Sequence, residues 1–197
     1  MEPEHCAEGR DEGAPSASFL MGNRLNLRGL RREDLEYVRS WWDNTEVTAH
    51  METGAYPTTD AMLEEFYSTA NQSRNSVIFV AEDRSTGKPI GLSGLYEIFW
   101  PGRRAEFRVL IGDPEIFDKG YGTEATLMTV EYGFMRLNME VIHLGVNAAN
   151  ARAVRAYEKA GFVREGVRRK FVFARGVYCD AVMMSILRHE FPLTKVP

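Results

Sequence analysis

Cysteine is scarce in this sequence. The two cysteines, Cys6 and Cys179, lie far apart and lack the close spacing of metal ligands. This excludes a disulfide-stapled fold and a cysteine-based zinc site. The four histidines are scattered and form no metal-binding motif. We therefore expect no metal.

Long hydrophobic runs and an excess of basic residues are also missing. No apolar stretch has the length of a membrane-spanning helix, and the N-terminus lacks the basic and then apolar pattern of a signal peptide. The formal net charge of −4 gives no general attraction to nucleic acid or to anionic membranes. These absences predict a cytoplasmic enzyme or binding domain without a nucleic-acid or membrane partner.

The chain does have enough apolar material for one well-buried domain, since 44% of its 197 residues are hydrophobic. The first residues are the exception. They are rich in Glu, Gly, Pro and Ser and offer few apolar groups to offset the entropy of ordering. We predict a flexible tail over residues 1–20 and one folded domain over residues 21–197.

The spacing of the hydrophobic residues predicts an α/β (α+β) fold. Strands are predicted at 24–30, 77–82, 90–98, 104–111, 141–146, 162–169 and 181–187, and helices at 31–42, 62–70, 127–137 and 151–160. Short connections make most neighbouring strands antiparallel, whereas the helical crossover makes strands 104–111 and 141–146 parallel. The result is a mixed, mostly antiparallel sheet with helices on both faces.

A glycine loop stands between one of these strands and its crossover helix. It reads Lys119-Gly120-Tyr121-Gly122-Thr123-Glu124-Ala125. Two glycines without side chains let successive backbone N–H groups point at one place, and the helix adds its free first-turn donors and positive dipole end. This arrangement is typical of a phosphate or pyrophosphate site.

Two other interpretations of the loop stay open at this point. The spacing also satisfies the dinucleotide pattern G-x-G-x-x-G/A, which would indicate a NAD-dependent oxidoreductase. Against it, the loop lies past the middle of the chain, and the acidic Glu140 precedes strand 141–146 instead of closing it. The plainer alternative is a glycine-capped turn that binds nothing.

A second motif follows and reads Asn147-Ala-Ala-Asn150-Ala-Arg-Ala153-Val-Arg-Ala-Tyr157-Glu-Lys159-Ala-Gly161-Phe162. Together the two motifs resemble the GNAT superfamily of acetyl-CoA-dependent N-acetyltransferases, and the later chain resembles its RimJ/RimL-like and spermidine-acetyltransferase-like branches. The resemblance implies a GNAT fold whose central parallel strands splay apart. It also implies acetyl transfer from acetyl-CoA to a primary amine by direct attack in a ternary complex. A non-catalytic acyl-CoA sensor is the second alternative.

The resemblance also implies roles for individual residues. The expected cofactor-binding residues are Leu110, Ile111, Lys119, Gly120, Tyr121, Gly122, Thr123 and Asn150. Tyr157 is the expected acid for the CoA thiolate, and Glu106 is the expected base for the amine. Each has a structural alternative: Asn150 as a helix cap, Tyr157 as core packing, and Glu106 in a salt bridge with Arg103 or Arg104. Phe117 departs from the family pattern, in which Gln or Arg is common.

The acceptor is less well defined. Loop 43–57 and the turn at 174–180 should wall its pocket, with Trp41, Glu46 and Tyr178 as substrate-binding residues. Acidic side chains at Asp43, Glu46 and Glu52 favour a cationic acceptor. A small-molecule amine, a polyamine, a peptide N-terminus and an aminosugar all fit. By analogy with the family, we expect a homodimer formed through the final strands.

Overall fold

The computed structural model describes residues 18–191. Its eight strands form one mixed sheet: β1 (Leu20–Met21), β2 (Leu25–Gly29), β3 (Val77–Asp83), β4 (Pro89–Phe99), β5 (Arg104–Ile111), β6 (Val141–Asn147), β7 (Val163–Ala174) and β8 (Val177–Leu187). The strand order is β1-β2-β3-β4-β5-β6-β8-β7. Every neighbouring pair is antiparallel except β5 and β6. The predicted fold class is confirmed.

Four α-helices cover the sheet: α1 (Leu35–Trp42), α2 (Asp60–Gln72), α3 (Tyr121–Met135) and α4 (Ala151–Ala160). Local chemistry sets several of their ends. The Thr59 hydroxyl accepts from the Met62 N–H at 3.3 Å and caps the start of α2. Gly161, with φ of 105°, ends α4 in the left-handed conformation that glycine adopts without a steric penalty.

The two faces of the sheet carry separate apolar clusters. On one face α3 and α4 cover an apolar cluster that includes Phe107, Ile142 and Tyr157. On the other face α1 and α2 pack over Val80 and Leu110. Alternate residues of β5 therefore serve opposite layers, as the period of two in a strand requires.

The parallel pair opens into a cleft. Strands β5 and β6 are paired only from Arg104 with Val141 to Glu106 with His143. Beyond that step each strand stays in the sheet, because β4 supports β5 and β8 supports β6. The facing backbone edges of the two strands thus diverge, as the predicted splayed pair requires.

The structure corrects three details of the predicted elements. The predicted turn at 174–180 is a two-residue turn, with φ of 51° at Arg175 and 76° at Gly176, so β7 and β8 are longer than predicted. Helical spacing from Leu35 and Val38 predicts that Trp42 faces inward, but α1 buries Trp41. Finally, Phe19 packs between Phe79 and Tyr132, so ordered packing begins before residue 21. Most of the predicted tail lies outside the described residues.

Candidate active site

The opening between β5 and β6 belongs to a cleft of about 740 Å³. This volume lies within the range of small-molecule and cofactor sites. The glycine loop and α4 line one end, and loop 43–57 lines the other through Val47, His50, Met51, Glu52 and Thr53. The cleft therefore joins the predicted cofactor residues to the predicted acceptor wall.

The glycine loop presents free backbone donors to the cleft. Gly120 has φ of 91° and precedes α3, and the first intrahelical bond runs from the Glu124 N–H to the Gly120 carbonyl at 3.0 Å. The N–H groups from Gly120 to Thr123 donate to no other described residue. The Lys119 N–H, by contrast, donates to the Ile116 carbonyl at 3.3 Å. Lys119 does not line the cleft, so the free donors begin one residue later than predicted.

Side chains behind the loop hold these donors in place. The Tyr121 hydroxyl donates to Asp83 Oδ2 at 2.6 Å, which ties the start of α3 to the β3–β4 turn. Asp83 also accepts from Ser85 and Thr86, and these hydrogen bonds hold the pKa of the Asp83 carboxyl well below its usual range. Arg24 donates to the Lys119 carbonyl. The Tyr121 side chain is thus an anchor, and its backbone N–H is the group available to a ligand.

The edge of β5 offers main-chain groups along the cleft, but not those of Leu110. The Gly112 N–H bonds the Ile90 carbonyl on β4, and the Val141 N–H of β6 bonds the Arg103 carbonyl. Because backbone direction alternates along a strand, Leu110 exchanges hydrogen bonds with β4, whereas Val109 and Ile111 face the β6 side. Of the two β5 residues expected to bind the cofactor, Ile111 therefore offers its N–H to the cleft, and the N–H of Leu110 is directed to β4. Its side chain still lines the cleft.

Tyr157 lies where the two ends of the cleft meet. Its ring packs edge-on against Phe107, with centroids 6.1 Å apart, and against Phe162. The side chain also lines the cleft, and its hydroxyl bonds no other described residue. Burial raises the pKa of Tyr157 to about 12. A phenol with this pKa stays protonated at neutral pH and can donate a proton.

Helix α4 adds a capped start and a basic face to the cofactor end. Asn150 Oδ1 accepts from the Ala153 N–H at 3.1 Å, so the capping alternative for Asn150 is observed while the residue also lines the cleft. The Arg152 guanidinium stacks 3.7 Å from the Phe117 ring centroid. Arg155 and Lys159 also line the cleft, at helical spacing from Arg152. Phe117 thus positions a cation instead of supplying a polar group.

At the acceptor end, Glu106 forms an ion pair. Arg108 donates to both Glu106 oxygens, at 3.2 and 2.8 Å, and to Glu97 Oε1 at 3.2 Å. The predicted alternative of a salt bridge is therefore observed, but the partner is neither Arg103 nor Arg104. Hydrogen bonding to Glu106 raises the pKa of Arg108, which remains a fixed positive charge. Glu97, at φ of 50° in a bulge of β4, and Glu52 also line the cleft.

The three predicted substrate-binding residues do not line the cleft. Trp41 is 5% exposed and packs in the core against Gly112. Glu46 is exposed and is not among the residues that line the cleft. Tyr178 is 64% exposed and stacks on Phe173 at 4.8 Å, on the outer part of the hairpin. The hairpin tip does reach the acceptor loop, because Arg175 donates to the Thr45 carbonyl at 3.0 Å.

Sequence reasoning missed several cleft residues, among them His50, Glu97, Arg108, His143 and Arg152. For Arg108, a signal was available: it shares a strand face with Glu106. For His50, burial and the nearby Arg152 and Arg175 lower the pKa. Among residues 18–191, no group of His, Cys, Asp and Glu has a metal-binding arrangement, and no helix is long and apolar enough to cross a membrane.

The residues at the cofactor end fit a diphosphate. A Cβ at Gly122 would meet only Ile111 Cγ1, at an ordinary 3.8 Å, so packing within the protein does not require glycine there. The space beside the free N–H groups is thus kept open for a ligand. Backbone donors at a helix N-terminus are the usual receptor for such an anion.

The comparisons with known proteins agree with this geometry. The family described as acetyltransferase (GNAT) domain matches residues 24–163. The chain belongs to this family. Spermidine N(1)-acetyltransferase of Escherichia coli K12 is 34% identical over 169 residues, covering 85% of this chain and 88% of that protein. The enzyme of the same name from Vibrio cholerae is 34% identical over 171 residues, covering 87% and 97%.

A solved structure supports the same assignment. Spermidine N-acetyltransferase from Vibrio cholerae in complex with CoA and spermine superposes with a TM-score of 0.76 at 33% identity, covering 85% of this chain and 97% of that one. The predicted GNAT membership and its spermidine-acetyltransferase-like branch are thus confirmed. This GNAT chain is an acetyl-CoA-dependent N-acetyltransferase. The oxidoreductase alternative fails, because a dinucleotide fold needs a parallel sheet, and among the strands of residues 18–191 only β5 and β6 are parallel.

Proposed function

We propose that the acceptor amine is a polyamine. One of its amino groups binds at the closed end of the cleft, where β5 and β6 are still paired. The observation that carries this proposal is the set of three carboxylates, Glu52, Glu97 and Glu106, lining the acceptor end. Arg108 neutralises only part of that charge. A linear polycation can contact several such groups at once, whereas a monoamine contacts one. The names of the spermidine-acetylating relatives point to the same acceptor class.

The donor is held by the cofactor end. The N–H groups of Gly120 to Thr123 bind the diphosphate, and the edge of β5 at Val109 and Ile111 pairs with the pantetheine arm as an added strand would. Asn150 contributes its amide nitrogen while its Oδ1 caps α4. Bound acetyl-CoA supplies an activated thioester carbonyl for attack by the amine.

The protein residues then stabilise charge and move protons. The Val109 or Ile111 N–H donates to the carbonyl oxygen as negative charge develops on it. Tyr157 gives its hydroxyl proton to the departing sulfur, a role that suits a phenol with a pKa of about 12. Glu106, the expected base, also lines this part of the cleft.

The test is a panel of amines assayed for CoA release with wild-type protein. Spermidine and spermine should have a kcat/KM at least about tenfold above n-butylamine, equivalent to roughly 1.4 kcal/mol. Glu97→Gln should reduce this ratio, whereas Glu46→Gln, which alters an acidic residue outside the cleft, should leave it unchanged. Equal rates for all amines would contradict the polyamine proposal, and an absence of turnover together with CoA binding would favour an acyl-CoA sensor.

We also propose that two copies associate through the last hairpin. Strand β7 is a long sheet edge, and the hairpin exposes Val163, Val167, Phe171, Phe173, Val177 and Tyr178, each more than half exposed. An exposed apolar edge strand is a ready interface for a second copy. Light scattering should give the dimer mass, and Phe173→Lys should give the monomer; a monomeric wild type would contradict the proposal.

The single domain over 21–197 and the cytoplasmic location remain predictions from the sequence.

A further inference from the structure

A row of polar side chains crosses the sheet at the closed end of the cleft. Tyr96 on β4 pairs in register with Glu106 on β5, which pairs with His143 on β6, which pairs with Ser185 on β8. Residues paired in register point to the same face of a sheet. The imidazole of His143 therefore stands beside Glu106 at the last step before the strands diverge.

His143 is open toward the cleft. It is half-buried and lines the cleft, and its ring bonds no other described residue. The next β6 residue on that face is Gly145, which is exposed and has no side chain to cover the ring. On the β8 side, the Ser185 hydroxyl donates to Glu165 Oε1 at 2.7 Å, so it is already engaged.

Glu106 is less free than His143 to receive a proton. Both of its oxygens accept a hydrogen bond from Arg108, so part of the accepting capacity of each oxygen is already used. An imidazole has one nitrogen with a free lone pair. The charged or titratable groups that line the same part of the cleft come from several elements: Glu97, Glu106, Arg108, Arg168, and His50 and Glu52 of the acceptor loop. Glu165 lies behind Ser185 and accepts from its hydroxyl.

We propose that His143 is the proton acceptor for the incoming ammonium group, with Glu106, held in place by Arg108, positioning that group. This inference rests on the proposed acetylation of an amine. One N–H bond of R–NH3+ breaks and its proton passes to an imidazole nitrogen, leaving R–NH2 to attack. The C–N bond then forms and the C–S bond breaks, Tyr157 protonates the sulfur, and the second amine proton returns to the Tyr157 phenolate. His143 releases its proton to solvent through the open cleft, so one proton is set free per turnover.

The test compares wild type with His143→Gln, which keeps a polar side chain but cannot take up a proton. Rates are measured from pH 7 to pH 10 with acetyl-CoA and two acceptors, spermidine and n-butylamine, because His143 should act on any primary ammonium group. At pH 7 the variant should lose about 100-fold in kcat. The loss should shrink as the pH approaches about 10, where primary amines deprotonate without help. CoA affinity and melting temperature should be unchanged, and His189→Gln, which removes an exposed imidazole elsewhere, should behave as wild type.

A second readout is independent of turnover. With 15N-labelled histidine, the ring signal that disappears in His143→Gln should shift when spermidine is added to the CoA complex, while the His189 signal stays in place. An unshifted signal, an unchanged rate, or a loss of equal size at every pH would overturn the assignment of His143 alone. A wild type that acetylates neither amine would overturn the proposed function as well.

Discussion

The two ends of the cleft are built in different ways. The cofactor end offers mainly main-chain groups, with the basic side chains of α4 beside them: free N–H donors from Gly120 to Thr123 and the open edge of β5, held from behind by Tyr121 and Asp83. The acceptor end consists of side chains from β4, β5, β6 and an irregular loop. Ligand binding at the cofactor end therefore depends on backbone geometry. Binding at the acceptor end depends on the charged side chains that the neighbouring strands and the loop supply.

This difference explains what the sequence could predict. Two closely spaced glycines between a strand and a helix indicate a loop with free backbone N–H groups. Gly120 and Gly122 could therefore be assigned to an anion-binding loop without a structure. The acceptor residues are brought together by strand register, which depends on tertiary pairing. Glu97, His143 and Arg108 are distant or unremarkable in sequence, and only the sheet makes them neighbours.

The errors have similar causes. Trp41 and Trp42 are adjacent, so helical periodicity alone had to decide between them, and packing against Gly112 buries Trp41. Leu110 and Ile111 were expected to bind the cofactor alike, because the hydrogen-bond direction that separates them follows from the pairing of β5 with β4. Tyr178 was placed in a long loop, although Arg175-Gly176 between alternating aromatic and β-branched residues is a usable signal for a tight hairpin.

The largest expected effect is at the junction of the two ends. Tyr157→Phe removes the proton donor and keeps the ring packing, so kcat should fall by about 1,000-fold while the Kd for CoA and the melting temperature stay the same. Because only the protonated phenol is active, wild-type activity should decline as the pH rises toward about 12. Steady-state rates and CoA titration check both points. A rate within twofold of wild type would remove Tyr157 from the mechanism.

The cofactor end is tested by Gly122→Val. The protein has room for the new side chain, but the diphosphate does not, so the Kd for CoA should rise about 100-fold, or roughly 2.7 kcal/mol. The matched control is Gly29→Val, because a Cβ at that glycine meets nothing within 4 Å and the residue lies away from the cleft. Titration calorimetry measures both variants. Wild-type affinity for CoA in Gly122→Val would contradict a diphosphate site made of backbone N–H groups.

The hydrogen bonds of Asp83 behind the glycine loop are tested by Asp83→Asn. This change should lower the free energy of unfolding at pH 7 by about 2 kcal/mol. The folded-state pKa of Asp83 lies below its unfolded value of about 3.9, so this stabilisation is complete well above that pH. It is lost as the pH falls through the folded-state pKa. Urea unfolding at pH 7 and at pH 3 should show the difference between variant and wild type shrinking in acid. A constant difference would mean that the charge of Asp83 is not responsible.

The smallest expected effect is at the acceptor end. Glu97→Gln should raise the KM for spermidine about fivefold and change the KM for n-butylamine less, because exposed charge pairs contribute up to roughly 1 kcal/mol. The effect should weaken in high salt, since screening reduces it. Steady-state kinetics with the two amines at low and high ionic strength measure this. Equal changes in KM for both amines would show that Glu97 does not interact with the additional positive charges of spermidine.

The most direct measurement of the central claim is a crystal structure of this protein with CoA. The account predicts diphosphate oxygens at about 3 Å from the backbone nitrogens between Gly120 and Thr123, with the thiol lying between β5 and β6 near the Tyr157 hydroxyl. A diphosphate held only by side chains of α4, with those nitrogens facing solvent, would contradict it.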